Sequence, residues 1–315
     1  MFTPHPNFYQ PPPPTPKIPF EAHLQTPPSE YDHNFSGGPI YTLSTDKLVL
    51  VPFVPSLHAK QYYHDVKDYG ETLLKFMPYP RRLDESLDAL CEVYERTIRS
   101  LPGSCLWAIF DITRLDSPEK LKEVEDVGSV HPLPEGHPPL NTFAGVMGIL
   151  NVDRDMCVGE LGHVLILPRA QKTHVTSHAI ALLQHYALDH PYMATWSTSE
   201  DKFVYPDITS NPTPASLSAP FTADAGGPPR GLGLRRFQWQ AHHLNNPSTR
   251  LAQRMGFKEE GRVRMQRVAP GGGEEGREGD GGKTGSRTSW VGSVTWRDWE
   301  EGGVREEVGR QVARR

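Results

Sequence analysis

The order of elements along this chain predicts an α/β protein with one mixed central sheet and helices on both of its faces. Two observations carry that prediction. The runs Thr142–Leu150 and Val158–Leu167 are apolar almost throughout, as central strands covered on both sides are. Amphipathic helical stripes fall between such strands instead of collecting at one end of the chain, which gives a layered arrangement.

The first forty residues are Pro-rich and are expected to form a disordered tail, with Gln10–Pro14 suited to polyproline II or to an SH3-like partner. Order is expected from Tyr41. Leu48, Leu50 and Val51 make a short strand closed by Pro52, and Ser56 suits the cap of a helix carrying Leu57, Tyr62 and Tyr63. Leu83, Leu87, Leu90 and Tyr94 recur at three- and four-residue steps and predict a helix over 84–99. Cys105–Phe110 reads as a strand, and the charged, Pro-rich stretch 111–141 as a loop. Asn151–Met156 turns between the two apolar strands. Val175, Ala179, Leu182, Leu183 and Tyr186 then share one helical stripe.

Residues 189–231 hold Pro, Ser, Thr, Gly and Asp without periodicity, the composition of a long surface insertion or of unspliced sequence. Leu234–Ala241 alternates strictly and predicts a strand. The next helix has clear punctuation: Asn246 suits the N-cap, Pro247 the first position and Gly256 the C′ position. Phe257–Val268 and Thr288–Trp296 read as strands on either side of a Gly/Glu-rich loop at 270–287. The remainder, 300–315, is a charged helix or tail. One domain over 41–299 is therefore expected, interrupted at 189–231.

Composition narrows the function classes. Only 37% of the 315 residues are hydrophobic, so part of the chain should lie outside the core. A net charge of −5 argues against nucleic-acid binding, which favours a basic stripe. Cys91, Cys105 and Cys157 are too few and too irregular for a disulfide framework or a four-ligand zinc site. His242-His243 and His174/His178 lack Cys or carboxylate partners at suitable spacing and read as surface histidines, so no metal is expected. No apolar run approaches the roughly 20 residues that span a bilayer. The N-terminus lacks a signal core or transit pattern, and a soluble cytosolic or nuclear protein without membrane contact is expected.

Two segments carry a family pattern. In Leu234–Trp239 and Leu244–Gly261, a strand is followed by Asn245 three residues before Ser248, a helix, and Gly256-Phe257 with Gly261. This block resembles the last conserved block of GNAT acetyltransferases, and more narrowly the RimJ/RimL-like branch with its fungal-type members. The second segment, Glu160–Thr176, resembles the family's splayed strand, which offers backbone groups to the pantetheine arm, here Val164, Leu165 and Ile166. The loop after such a strand has the consensus Gln/Arg-x-x-Gly-x-Gly/Ala and cradles a pyrophosphate on main-chain N–H groups at a helix N-terminus. Gln171 matches the first position, while His174 and Thr176 stand where the glycines are expected. Lys172, Thr173 and Thr176 would supply charge and hydroxyls to that turn, which Val175 completes. The resemblance covers about residues 41–188 and 232–299. It implies a mostly antiparallel sheet, acetyl-coenzyme A as co-substrate, and an amine acceptor on a small molecule or a protein N-terminus.

Acyl transfer to an amine needs a base for the ammonium, a fixed donor for the developing oxyanion and an acid for the thiolate. The resemblance puts the donor among the backbone N–H groups of Gly162 to Leu165. Glu160 is the candidate base, being acidic, on that strand and among apolar neighbours that would raise its pKa; the alternative is a glutamate facing solvent. His163 is a second candidate, or else a core histidine. No Tyr follows Tyr205, so the Tyr acid of several GNAT enzymes is missing and Ser248 is the remaining proton donor, or a helix cap. Asn245 resembles the Asn that hydrogen-bonds the pantetheine arm. The lost glycines and missing Tyr leave open a non-catalytic GNAT-fold protein that binds acyl-coenzyme A or a protein partner.

Overall fold

The computed structural model describes residues 17–79, 82–189, 195–197, 202–204, 231–268 and 285–314. Its strands are β1 (Leu43–Ser44), β2 (Leu48–Pro52), β3 (Cys105–Asp111), β4 (Phe143–Asp153), β5 (Val158–Ile166), β6 (Thr195–Ser197), β7 (Lys202–Val204), β8 (Arg236–His242), β9 (Lys258–Val268) and β10 (Ser286–Thr295). Its α-helices are α1 (Phe20–Gln25), α2 (Pro55–Val66), α3 (Gly70–Leu73), α4 (Leu87–Tyr94), α5 (Pro118–Lys122), α6 (His174–Leu188), α7 (Asn246–Arg254), α8 (Trp296–Glu300) and α9 (Val304–Ala313). Eight strands share one sheet in the order β1-β2-β3-β4-β5-β8-β10-β9, and β6 pairs with β7 alone. Every pairing in the large sheet is antiparallel except that of β5 with β8.

The sheet separates two apolar layers. On one face, Val175, Ala179, Leu183 and Tyr186 of α6 pack with Phe237 and Trp239 of β8, Trp290 of β10 and Val308 of α9. On the other, Leu57 and Tyr62 of α2 and Leu90 and Tyr94 of α4 pack with Phe110 and Phe143. This two-sided cover explains the unbroken apolar run Cys105–Phe110 of β3, buried at all six positions. Among the described residues no helix is long and apolar enough to cross a membrane.

Several local expectations change. Order begins before Tyr41: α1 lies against α2 and α4, with Leu24 and Tyr31 in the core. His23 is buried there, its Nδ1 2.9 Å from the Tyr31 hydroxyl and its Nε2 3.0 Å from a Glu95 carboxylate oxygen. Scattered prolines hide this anchoring in composition, because three spaced side chains carry it. Residues 1–16 lie outside the described residues, as do most of the 189–231 insertion and 269–284 of the Gly/Glu loop.

Ser56 is not a cap, since α2 begins at Pro55 with no side-chain cap at Val54. Ser86 caps α4 by accepting from the Ala89 N–H at 3.0 Å, and the expected 84–99 helix ends in a π-helical turn, Glu95–Arg99. Asn245, not Asn246, caps α7, so Asn246 and Pro247 both fall inside the helix. Gly256 takes φ +88° at the C′ position, as its punctuation predicted. His178 and His242 are buried, not superficial.

Candidate active site

The sheet opens between β5 and β8. Their parallel pairing runs only from Val158–Arg236 to Leu161–Trp239, although both strands continue beyond it. The cause lies in β5. Against β4, Leu165 pairs with Val146 and Gly162 with Gly148, so three steps on β5 oppose two on β4. His163 sits in this bulge at φ +48°. An extra residue bends a strand and strengthens its twist, and here it leaves the main chain of Gly162–Ile166 without a ladder on the β8 side. Val164, Leu165 and Ile166 all lie on this freed edge.

The chain then enters α6 through a tight loop. Gln171 Nε2 donates to the Ile166 carbonyl at 2.9 Å, closing the end of β5. Lys172 adopts φ +61°. Thr173 is the N-cap of α6: its hydroxyl donates to the Ala170 carbonyl at 2.6 Å and accepts from the Val175 N–H at 3.3 Å. The main-chain N–H groups of Lys172, Thr173, His174 and Thr176 find no acceptor among the described residues. Unspent N–H groups at the positive end of a 15-residue helix form an anion-binding geometry. His174, at the first glycine position, brings Nε2 to 3.2 Å from Asp111 Oδ1. Burial raises the Asp111 carboxyl, but contacts from His174 and Thr113 outweigh it and hold the group below its usual range.

Glu160 occupies the floor of the opening and is 4% exposed. Its Oε2 accepts from Gln238 Nε2 at 3.1 Å and from Asn151 Nδ2 at 3.3 Å, while Arg267 Nη2 lies 3.8 Å from Oε1. Burial raises the pKa of the carboxyl, and Arg267 and the two amides offset only part of that rise. Gln238 and Arg267 were not foreseen. The period-2 pattern of β8 was the available signal: Phe237, Trp239 and Ala241 enter the core while Arg236, Gln238 and Gln240 form a polar row.

His163 and Tyr79 form the second cluster. Their rings stack with centroids 5.2 Å apart, and Tyr79 Oη lies 2.7 Å from His163 Nδ1. Burial, aided by the nearby charge of Arg267, lowers the imidazole to about 4, so it is neutral near pH 7. Burial likewise raises the Tyr79 phenol well above its ordinary value. Tyr79 follows Met77-Pro78 in a segment with no periodicity, so no sequence signal marked it.

Arg267 thus connects Glu160 and His163. Ser248 is elsewhere: its Oγ accepts from Trp239 Nε1 at 3.2 Å, and Trp239 points to the face of β8 opposite Gln238. Asn245 spends its side-chain oxygen on the Ser248 N–H at 3.3 Å. Ser248 therefore lies on the opposite side of the sheet from Glu160.

Neither a protein-family model nor a curated protein matches this sequence. Solved structures do match its fold. A GCN5-related N-acetyltransferase from Brucella melitensis is 16% identical, with 88% of this chain and 87% of that chain covered at a TM-score of 0.53. A probable GNAT-family acetyltransferase from Chromobacterium violaceum ATCC 12472 is 17% identical, with 84% and 90% covered at 0.52. The class defined is the GNAT fold, a mostly antiparallel mixed sheet with helices on both faces, as the sequence resemblance implied.

Proposed function

We propose that this protein transfers an acetyl group from acetyl-coenzyme A to a primary amine of a small molecule or a protein N-terminus. One observation carries the reading. The strand that leaves its neighbour at Gly162 runs directly into a loop of unspent N–H groups at the start of α6. An extended, amide-bearing arm laid in that opening meets the main chain of Val164, Leu165 and Ile166 as an added strand would. The turn formed by Gln171, Lys172, Thr173, His174, Val175 and Thr176 offers a diphosphate main-chain donors, the Thr176 hydroxyl and a lysine charge, with the Thr173 hydroxyl capping the helix. His174 is drawn toward Asp111, which supports the fit despite the missing glycine.

In this reading Glu160 takes the ammonium proton, directly or through a water, because burial has made its carboxylate a stronger base. His163, neutral at pH 7, is the second candidate base. A main-chain N–H within Gly162–Leu165 meets the carbonyl oxygen as its charge grows. The C–N bond forms, the C–S bond breaks, and the thiolate collects a proton through Ser248 across the opening, the serine hydroxyl being refilled by the proton that the new amide nitrogen gives up. The Asn245, Ser248, Gly256-Phe257 and Gly261 block supports a RimJ/RimL-like affiliation.

Calorimetric titration with acetyl-coenzyme A tests the first half of the proposal, and absence of both heat and thermal stabilisation overturns it. A thiol-release assay over an amine panel, with Glu160→Gln and Ser248→Ala, tests the second. A binding protein without turnover is the other reading. It is favoured by the existing engagements of Ser248 with Trp239 and of Asn245 with the α7 terminus. Binding without thiol release from any amine selects it.

A further inference from the structure

We propose that the acceptor carries an anionic group beside its amine, and that Arg287, assisted by Arg267, holds that group. The inference deepens the acyl-transfer reading and rests on it. Arg287 on β10 pairs directly with Arg267 on β9. Along β10 every second side chain shares a face, so Arg287 and Ser289 lie on the side of Ser293, which pairs with Gln238, the donor to Glu160. Arg287, Arg267, Gln238 and Glu160 therefore belong to one polar surface.

This surface has unspent donors. Arg287 is 6% exposed, its Nε is buried without a partner, and its guanidinium makes no hydrogen bond to any described residue. Two residues along the same face, the Ser289 hydroxyl is also buried and unpartnered. A buried polar group left unpaired costs folding free energy, more so when charged. Like charges on directly opposed strand positions add to that cost.

Glu160 acts on both arginines but already accepts from two amides and lies 3.8 Å from Arg267. Among the described residues, two guanidinium groups against one carboxylate leave a surplus positive charge. Burial, with repulsion from Arg267, accordingly pushes Arg287 down to about 10. A carboxylate reaching Arg287 satisfies the fork of N–H donors and removes the surplus. The charge layout, Glu160 toward the opening and the arginine pair beyond it, complements an ammonium and an anion on one small skeleton.

The test uses the full-length protein with acetyl-coenzyme A and three acceptors of one carbon skeleton: an ω-amino acid, its neutral amide and its phosphonate. The amino acid is expected to exceed the amide by about tenfold or more in kcat/KM, chiefly through KM. In Arg287→Gln that ratio should fall to about twofold or less. Arg267→Gln, a half-buried position, repeats the test if the first variant does not fold. A phosphonate preferred over the carboxylate redefines the anion but keeps the site, whereas an amide as good as the acid overturns it. A ratio unchanged in both variants also overturns it. If no amine is turned over, calorimetry of the amino acid with wild type and Arg287→Gln decides separately: heat lost in the variant supports the site, and no heat in either overturns it. Failure of the acyl-transfer reading shows instead as absent acetyl-coenzyme A binding or absent thiol release.

Discussion

Tyr79 Oη stands 2.7 Å from Nδ1 of His163, so the segment behind α3 is fastened to the one residue of β5 that lies in the left-handed region. His163 marks the bulge at which β5 turns from β8. The hydroxyl therefore acts on the site through the histidine, as a positioning group. Tyr79→Phe keeps the stacked ring and removes the hydrogen bond, a loss of about 1 kcal/mol. We expect kcat to fall about five- to tenfold, the factor that such an energy supports, with acetyl-coenzyme A affinity little changed. Steady-state kinetics alongside calorimetry check this. Equal losses in both would mean that the tyrosine only supports the fold.

Glu160→Gln keeps the shape and the amide-rich surroundings while removing the proposed base. Activity needs the carboxylate ionised, so the rate should rise with pH through the folded pKa. Burial places that limb above the ordinary carboxylate range. The variant should lose about 100-fold or more in kcat and lose the limb with it. A limb that survives at the same pH assigns the base to another group, and one that moves down toward pH 4 points to His163.

The layered sheet was legible because both apolar strands are nearly continuous hydrophobic runs and the α6 stripe follows a helical period, and the two-faced pattern of β8 was readable in Phe237 and Trp239 against Gln238 and Gln240. Where β5 separates from β8 was not legible from periodicity. It depends on a bulge at His163, which has no composition of its own. The partners of Glu160 come from β4, β8 and β9, and such long-range register is invisible to a local window. The α1 anchor escaped for a related reason: the few side chains that dock it lie among prolines and polar residues.

Histidines withdrawn from water should control the acid side of the stability profile. Burial, the largest cause for each, lowers His23, His163 and His178 from 6.5 to about 4 and holds His58 well below 6.5. Below pH 6.5 the unfolded chain takes up protons that the folded chain refuses, so stability falls as pH drops from 6.5 to 4 and then levels for the first three. Each of these three contributes up to about 3 kcal/mol over that window. Glu95 and Glu160, both raised by burial, act in the opposite sense near their own pKa values. Denaturant unfolding at pH 7, 5.5 and 4 measures the net slope, and His178→Gln should flatten it by one residue's share. A midpoint independent of pH across this interval contradicts the assignment of neutral imidazoles.

Gly145 determines how closely β4 and β5 approach beside the bulge. It pairs with Ile166, adopts φ +143°, and any Cβ there would run into the Leu165 carbonyl oxygen and the backbone behind it. Gly145→Ala must therefore push Leu165 and Ile166 aside and strain its own backbone, at a cost of about 2–4 kcal/mol. Those two residues line the opening, so acetyl-coenzyme A affinity should fall by more than about tenfold even where the variant folds, since displacement spoils several main-chain contacts together. Gly148 supplies the control on the same strand: its Cβ would meet the Cys105 carbonyl, on the side of β4 away from β5. Gly148→Ala should lose comparable stability and keep its affinity. Calorimetry on both variants below their unfolding temperatures separates the effects, and equal loss of affinity in the two would show that the opening between β5 and β8 is not what binds the nucleotide thioester.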